Sequence, residues 1–271
     1  MNREQLLEIA LNRAKKAGVE VMKYYRTDDV KTTIKSDDSP VTNADIAAND
    51  ILMDQLQTLT PDIPIISEEV GALALQQRKD WSRYWLLDPI DGTGEFIIGS
   101  GDFAVNVALI ENGWPSIGVI HAPDHRLTYY GQTGLGAFKE SDITRKIQVS
   151  SYDPARKIKV AISRRQHLDK MGQYLNDHYE YDYVALGSCS LKSCLIAEGG
   201  ADCYLRVGVT GEWDTGASQC ILEQAGGDIV DSEFNPLSYN KRESLLNPDF
   251  LSLGNRSFEW QKIIKAHRQT Y

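Results

Sequence analysis

Residues 85–96 read Trp-Leu-Leu-Asp-Pro-Ile-Asp-Gly-Thr-Gly-Glu-Phe, an order that few backbone paths accept. Trp85, Leu86 and Leu87 predict the buried end of a short strand. Asp88 then places a carboxylate where the strand stops. Pro89 has no N–H and a fixed φ, so the ladder is expected to end there and the chain to turn. Asp91 adds a second carboxylate, Gly92 permits a left-handed or close backbone path, and Thr93 adds a hydroxyl. Two carboxylates and a hydroxyl on a rigid turn make a hard-cation site of the kind that holds Mg²⁺ together with a phosphate. Turn chemistry selects the same residues, so the plain alternative is an Asp-Pro/Asp-Gly turn whose acids are simply solvated.

The chain is large enough to bury such a turn. Its 271 residues, 42% apolar and 25% charged, suit one large domain or two subdomains sharing a core. A net charge of −9 and a pI of about 5.1 argue against binding a nucleic-acid polymer, which needs a basic face. A small anion stays open, because local Lys, Arg or metal overrides the global field. No apolar run reaches the roughly 18 residues of a membrane span. Residues 1–8 are too charged for a signal peptide. Cys189, Cys194, Cys203 and Cys220 form no C-x-x-C and have no His at zinc-ligand spacing, so reduced thiols in a cytoplasmic protein are expected.

Leu6, Ala10, Ala14, Ala17 and Val21 recur every three or four residues, which predicts an amphipathic scaffold helix. Residues 27–40 read as a polar loop carrying Lys35. Residues 41–45 lead into the helical pattern Ala48, Leu52, Leu56, Leu59, with Asn43 or Asp45 as its cap. Residues 64–69 predict a short buried strand ending in Glu68 and Glu69, and 71–80 a polar loop. Residues 103–110 and 116–121 around Asn112-Gly113 predict a hairpin, extended into an antiparallel sheet by 127–130 and 136–138. His121 ends a strand and reads as structural.

A strand at 157–163, a helix through Leu168, Met171 and Leu175, and a strand at 183–186 suggest a βαβ-like layer. A boundary is therefore expected near residue 150. It separates an N-terminal α+β subdomain (1–150) with the antiparallel sheet from a C-terminal α/β subdomain (151–271). Gly187-Ser-Cys-Ser-Leu-Lys192 is a turn opening a helix, whose free N–H groups suit an anion; a plain Ser cap is the competing reading. Residues 197–206 give helix end, turn and strand. Asp214 lies at the start of a helix carrying Ala217, Ile221, Leu222 and Ala225, where it could serve the helix dipole alone. Residues 225–230 turn into another strand. A loop at 232–248, a closing strand at 250–253 and a final helix at 258–267 complete the chain.

D-P-I-D-G-T after an apolar strand, together with W-D-x-x-A-x at 213–218, resembles the paired signatures of the inositol monophosphatase superfamily of Mg²⁺-dependent, lithium-sensitive phosphatases. The likeness runs from Lys35-Ser-Asp-Asp-Ser-Pro-Val-Thr-Asn-Ala-Asp45 to Arg242-Glu-Ser-Leu-Leu-Asn-Pro248. It is strongest to 3′(2′),5′-bisphosphate nucleotidases of the CysQ type. The resemblance implies a layered α-β-α-β-α sandwich, two Mg²⁺ ions, and a third, weaker ion near Glu68. It assigns metal ligation to Glu68, Asp88, the Ile90 carbonyl, Asp91 and Asp214, most of them in the N-terminal subdomain. It gives water activation to Asp45 and Thr93 with Glu68. It lines the substrate site with Glu68, Ile90, Asp91, Gly92, Thr93, Gly187, Lys192, Arg206 and Asp214. The implied activity is hydrolysis of a small phosphonucleotide, 3′-phosphoadenosine 5′-phosphate (PAP), to AMP and phosphate by in-line attack of water, a step in sulfur metabolism. A cytoplasmic location is implied, with peripheral contact to the cytoplasmic face of the inner membrane left open and the oligomeric state unread.

The departures from that pattern concern substrate. Such nucleotidases often carry Lys where this chain has Gly94. Leu205 and Val209 replace residues often Pro, and Ser218 replaces a Gly. The 187–192 turn aligns as one residue longer than the family's G-S-S-L-K. Inositol monophosphate or fructose 1,6-bisphosphate would suit the same chemistry. A non-catalytic nucleotide sensor would need a broken acid set, whereas all four acids and Thr93 are present.

Overall fold

The computed structural model describes residues 1–265 apart from 36, 37, 72, 152, 154 and 165–170. Helix α1 (Arg3–Tyr24) starts from an Asn2–Gln5 capping box and buries the stripe Leu6, Leu7, Ala10, Ala14, Ala17, Gly18, Val21. Strands β1 (Thr32–Ile34) and β2 (Pro40–Thr42) form a small antiparallel hairpin where the sequence predicts only a loop. The first is exposed throughout, so it carries no apolar alternation to read. Helix α2 (Asn43–Leu59) is capped by Thr42, not by Asn43 or Asp45. The Thr42 hydroxyl accepts from Ala44 N–H, and Asp45, at the third helical position, accepts from Thr42 N–H at 2.7 Å.

A seven-stranded sheet follows in chain order: β3 (Ile65–Ser67), β4 (Arg83–Asp91), β5 (Ala104–Glu111), β6 (Trp114–Ala122), β7 (Leu127–Gln132), β8 (Gly136–Glu140) and β9 (Thr144–Ile147). Only β3–β4 is parallel; the others are antiparallel neighbours. The β5–β6 turn places Asn112 and Gly113 at φ of 54° and 80°, as an Asn-Gly hairpin requires. The polar 71–80 segment holds a short helix, α3 (Leu75–Arg78), and ends on a fully buried Arg78. That guanidinium tolerates burial because it donates to the carbonyls of Leu73, Arg242 and Glu243 and to the Asn240 side chain.

β4 corrects another expectation. The strand does not stop at Asp88 but runs nine residues through Pro89 to Asp91. Register with β5 is broken between Asp88 and Asp91, so the proline falls in the irregular stretch and removes no ladder bond.

A second sheet has the order β11-β10-β12-β14-β13, formed by β10 (Ile158–Ile162), β11 (Tyr181–Ala185), β12 (Cys203–Arg206), β13 (Asp228–Asp231) and β14 (Phe250–Leu253). Its β11, β10 and β12 are parallel, and β14 runs antiparallel between β12 and β13. Of the helix expected through Leu168, Met171 and Leu175, residues 165–170 lie outside the described residues, and Leu175 forms an isolated bridge with Ile264. The end expected at His267 also lies outside, and the described part of the last helix is α7 (Trp260–Ile263), shorter than predicted.

Strand alternation builds five layers. Trp85, Leu87, Val105, Val107 and Val119 face α1 and α2. Leu86, Ala104, Ala108 and Ile120 face the other way, onto α5 (Cys189–Ala197) and α6 (Glu212–Gln224). Ala161, Tyr204, Ile229 and Phe250 of the second sheet close that central helical layer from its far side. The outer face of the second sheet packs Val160, Leu205 and Leu251 against Met171, Leu175, Phe258, Trp260 and Ile263. The result is the α-β-α-β-α sandwich.

Candidate active site

The β4 irregularity decides what the signature acids meet. Asp88 is fully buried on the face towards α5 and α6, and neither carboxylate oxygen has a hydrogen-bond partner. Burial holds its carboxyl well above the usual carboxylate range, and the charges of Glu68, Asp91, Asp214 and Asp45 push the same way. An orphaned buried carboxylate costs several kcal/mol unless a cation or proton meets it, on the order expected for any unpaired buried charge.

Asp91, three residues on, is held by the N-terminus of α5. Its Oδ1 accepts from Cys189 N–H at 3.1 Å; its Oδ2 accepts from Ser190 N–H at 2.6 Å and from the hydroxyls of Ser188 and Ser190. Ser188 adopts φ of 54° to place its side chain there. Gly187 N–H donates to Asp102 Oδ2 at 2.8 Å, and Leu191 N–H donates back to Ser188 Oγ at 3.1 Å. The N–H groups of this turn are therefore not free, as the sequence reading has them. The anion they bind is the protein's own Asp91, with Asp102 beside it.

Asp214 sits in the first turn of α6 and accepts from Gly211 N–H at 2.6 Å. Burial raises its carboxyl well above the ordinary range, and Asp91 and Glu68 add to this. Asp88, Asp91 and Asp214 each present an oxygen within 4.8 Å of the others, the metal-type acid cluster among the described residues. Glu68 stands beside this trio. Its N–H donates to Leu87 O at 3.1 Å, continuing the β3–β4 pairing to the level of Asp88. Its carboxylate faces Lys35, whose Nζ lies 2.9 Å from Glu68 and 2.8 Å from Glu69. Burial raises the Glu68 carboxyl against the opposing pull of Lys35.

A divalent cation fits this donor set: hard carboxylate oxygens, two of them with no other partner, converging from β4 and α6. The Ile90 carbonyl points into the same turn, where it accepts from Thr93 Oγ1 at 3.2 Å. That hydroxyl also meets Asp45 Oδ1 at 3.1 Å. Asp45 is buried, fixed through Oδ2 to the Thr42 hydroxyl at 2.6 Å, and pushed up to about 6, chiefly by burial. Gly92 makes the turn possible. It caps α4 (Thr93–Ile97) at φ of 95°, and a Cβ there would meet the Asp102 carbonyl at 3.0 Å.

Next to the acids lies a cavity of about 260 Å³, lined by Asp91, Gly92, Glu95, Gly187, Lys192, Arg206, Val209 and Asp214 among others. Lys192 is almost wholly buried. Its Nζ donates to the Ser188 carbonyl, with those of Leu186 and Gly187 at 3.4 Å, and stands 4.9 Å from the Tyr204 ring centroid. It clamps the turn from beneath. Arg206 donates to Val209 O at 3.0 Å, while its Nε is buried without a partner. Sequence reasoning missed Asp102, which ties Arg164 and His125 to the 187 turn. The signal available was Ser163-Arg164-Arg165 at the end of a strand, which carries no role until Asp102 is placed opposite it.

The whole chain has relatives. The inositol monophosphatase family model matches residues 2–269. The 3′(2′),5′-bisphosphate nucleotidase CysQ of Haemophilus influenzae is 38% identical over 97% of both chains. The CysQ nucleotidase of Salmonella typhimurium is 44% identical over 90% of this chain and 98% of its own. Among solved structures, CysQ from Bacteroides thetaiotaomicron superposes with a TM-score of 0.80 at 32% identity, covering 93% of this chain and 98% of that one. An IMPase of Thermotoga maritima superposes with a TM-score of 0.75 at 25% identity, over 92% of each.

Proposed function

The chain belongs to the inositol monophosphatase family, and from that membership we propose that it is a Mg²⁺-dependent 3′(2′),5′-bisphosphate nucleotidase converting PAP to AMP and phosphate. The observation that carries the metal reading is Asp88: a fully buried carboxylate with two unpartnered oxygens, within reach of Asp91 and Asp214. Asp88, Asp91 and Asp214, with Glu68 and the Ile90 carbonyl, would hold two Mg²⁺ ions, and Glu68 a weaker third. Bound Mg²⁺ supplies Lewis-acid neutralisation of the phosphoryl oxygens and lowers the pKa of water.

The chain's own groups do the positioning. Thr93 Oγ1, tied to Asp45, orients the attacking water, and Asp45 takes up its proton through that hydroxyl. A carboxyl near pKa 6 is suited to accept a proton at neutral pH. The N–H groups of Gly92 and Thr93 would face the transferred phosphate, and a water near Asp214 would return a proton to the leaving oxygen. Arg206, in the cavity wall, faces the second phosphate. Gly187 and Lys192 shape the wall and its field. We also read a division near residue 150, between the two sheets, as the boundary of two subdomains: one brings Asp45, Glu68 and residues 88–93, the other residues 187–192, Arg206 and Asp214. The four free, buried thiols support a reducing, cytoplasmic setting. No helix of the described residues is long and apolar enough to cross a membrane.

The test is phosphate release from PAP, inositol 1-phosphate and fructose 1,6-bisphosphate, with and without Mg²⁺, chelator and Li⁺. PAP should be preferred by at least about 100-fold in kcat/KM. Chelation should abolish turnover and Li⁺ should inhibit it. Preference for a sugar or inositol phosphate, or turnover indifferent to chelation, would overturn the reading.

A further inference from the structure

Asn106 lies directly across the ladder from Asp88, in register, so the two side chains stand on the same face of the sheet. It is 1% exposed. Both its Nδ2 and its Oδ1 lack a hydrogen-bond partner, as do both oxygens of Asp88. Its neighbours on that face are Ala104 and Ala108 along β5 and Ile120 across on β6, none of which offers a polar side chain. Two buried side chains opposite one another on the ladder therefore carry four unsatisfied polar atoms on the face that also bears Asp91 and Asp214. Buried amides are satisfied as a rule, and Asn106 leaves both ends of its amide unmet directly opposite Asp88, so it calls for a partner that arrives with function. Packing gives no reason for it, since a leucine of the same branched shape, though somewhat bulkier, would line the space without that cost.

We propose that Asn106 is a positioning residue of the metal centre: its amide hydrogen-bonds Asp88, or a water lying against it, when Mg²⁺ is bound, and so fixes which Asp88 oxygens face the metal. This rests on the metal-centre reading given above. The amide Nδ2 can donate to a carboxylate lone pair that the cation leaves unused, and Oδ1 can accept from a bound water. Outer partners of this type commonly alter metal affinity by 10–100-fold when removed.

The experiment uses Mg²⁺ alone, titrated calorimetrically into chelator-treated full-length protein, with thermal unfolding recorded with and without Mg²⁺. For Asn106→Leu, the expected result is a metal-free Tm equal to or above that of the wild type. Its Mg²⁺ Kd should be weakened by about tenfold or more, and the Mg²⁺-induced rise in Tm correspondingly smaller. The pair Asn106→Ser and Asn106→Ala, nearly equal in volume, isolates the polar group and serves if the leucine variant does not fold. The serine should bind Mg²⁺ more tightly than the alanine. Equal Mg²⁺ affinity for serine and alanine, or wild-type affinity in a folded leucine variant, overturns the role of Asn106 and leaves the metal centre standing. Wild-type protein that takes up no Mg²⁺ overturns the metal centre itself.

Discussion

Asp88 makes the metal-free protein work against itself, and a single atom tests this. Replacing Asp88 with Asn keeps the shape but removes a charge crowded by Glu68, Asp91 and Asp214. Without metal, Asp88→Asn should be more stable by about 1–2 kcal/mol, a gain of a few degrees in Tm. With Mg²⁺ it should lose at least about 10³-fold in activity, because a neutral amide is a poor hard-cation ligand. Differential scanning of both proteins in chelator, beside a phosphate-release assay, checks the two signs together; lower stability without metal would contradict the argument. Ser190→Ala makes a milder test, since it keeps the N–H on Asp91 and removes only the hydroxyl. Its kcat should fall roughly tenfold with the fold intact, and its Mg²⁺ half-saturation should rise, as measured in initial-rate titrations. The acids themselves were legible in D-P-I-D-G-T and W-D. What the sequence hid was the identity of the anion at the head of α5: residues 187–192 announce a row of donors, but only the fold reveals that Asp91 and Asp102 occupy them.

Elements place these residues, and the tightest joint is between β6 and α6. A Cβ at Gly118 would run into the backbone carbonyl of Ala217, one turn past Asp214. Backbone against backbone leaves nothing flexible to give way, so Gly118→Ala must lift α6 off the sheet. A loss of about 2–3 kcal/mol of stability, read as a lower urea midpoint, is expected, with reduced activity because Asp214 rides on the same helix. Gly71→Ala is the control, since nothing lies within 4 Å of its Cβ position, and it should change neither. Helices with a clear apolar stripe, such as α1, and strands flanking Asn112-Gly113 could be read directly from the residues. The small hairpin β1–β2 and the helix ending at Arg78 could not. The hairpin's first strand is exposed and has no buried face to leave a pattern, and Arg78 is buried through a nearby carbonyl at 73 and distant ones at 242 and 243. Pro89 misled in the other direction: it marked a real irregularity, but the strand continued beyond it.

At the scale of the molecule, the near-continuous apolar runs of β4 and β5 tell that both sheet faces are buried, not which helices cover them; that came from the family resemblance and then from the structure. His121 shows how such a layer contact enters global stability. Its ring is wedged between the sheet and α1, where a Cβ on Gly18 would come within 2.5 Å of it, and Nδ1 pairs with Thr128 Oγ1 at 3.0 Å. Burial, with Lys15 nearby, lowers its pKa from 6.5 to about 4, against the smaller opposing effects of the Leu127 backbone and Glu140. Between those two values the unfolded chain binds a proton that the folded chain refuses, so stability present above pH 6.5 is lost as the pH falls towards 4. Asp45 and Glu212, both pushed up to about 6 by burial, act oppositely, since the folded state takes their protons first. Comparison with His121→Gln cancels those carboxyls. The stability advantage of wild type over the variant should shrink by about 2 kcal/mol between pH 7 and pH 4.5. Urea titrations of both proteins across that range measure it. Parallel pH profiles would mean that the imidazole takes up its proton as readily in the folded chain as in the unfolded one, and would overturn the account of His121 as a ring shielded between α1 and the sheet.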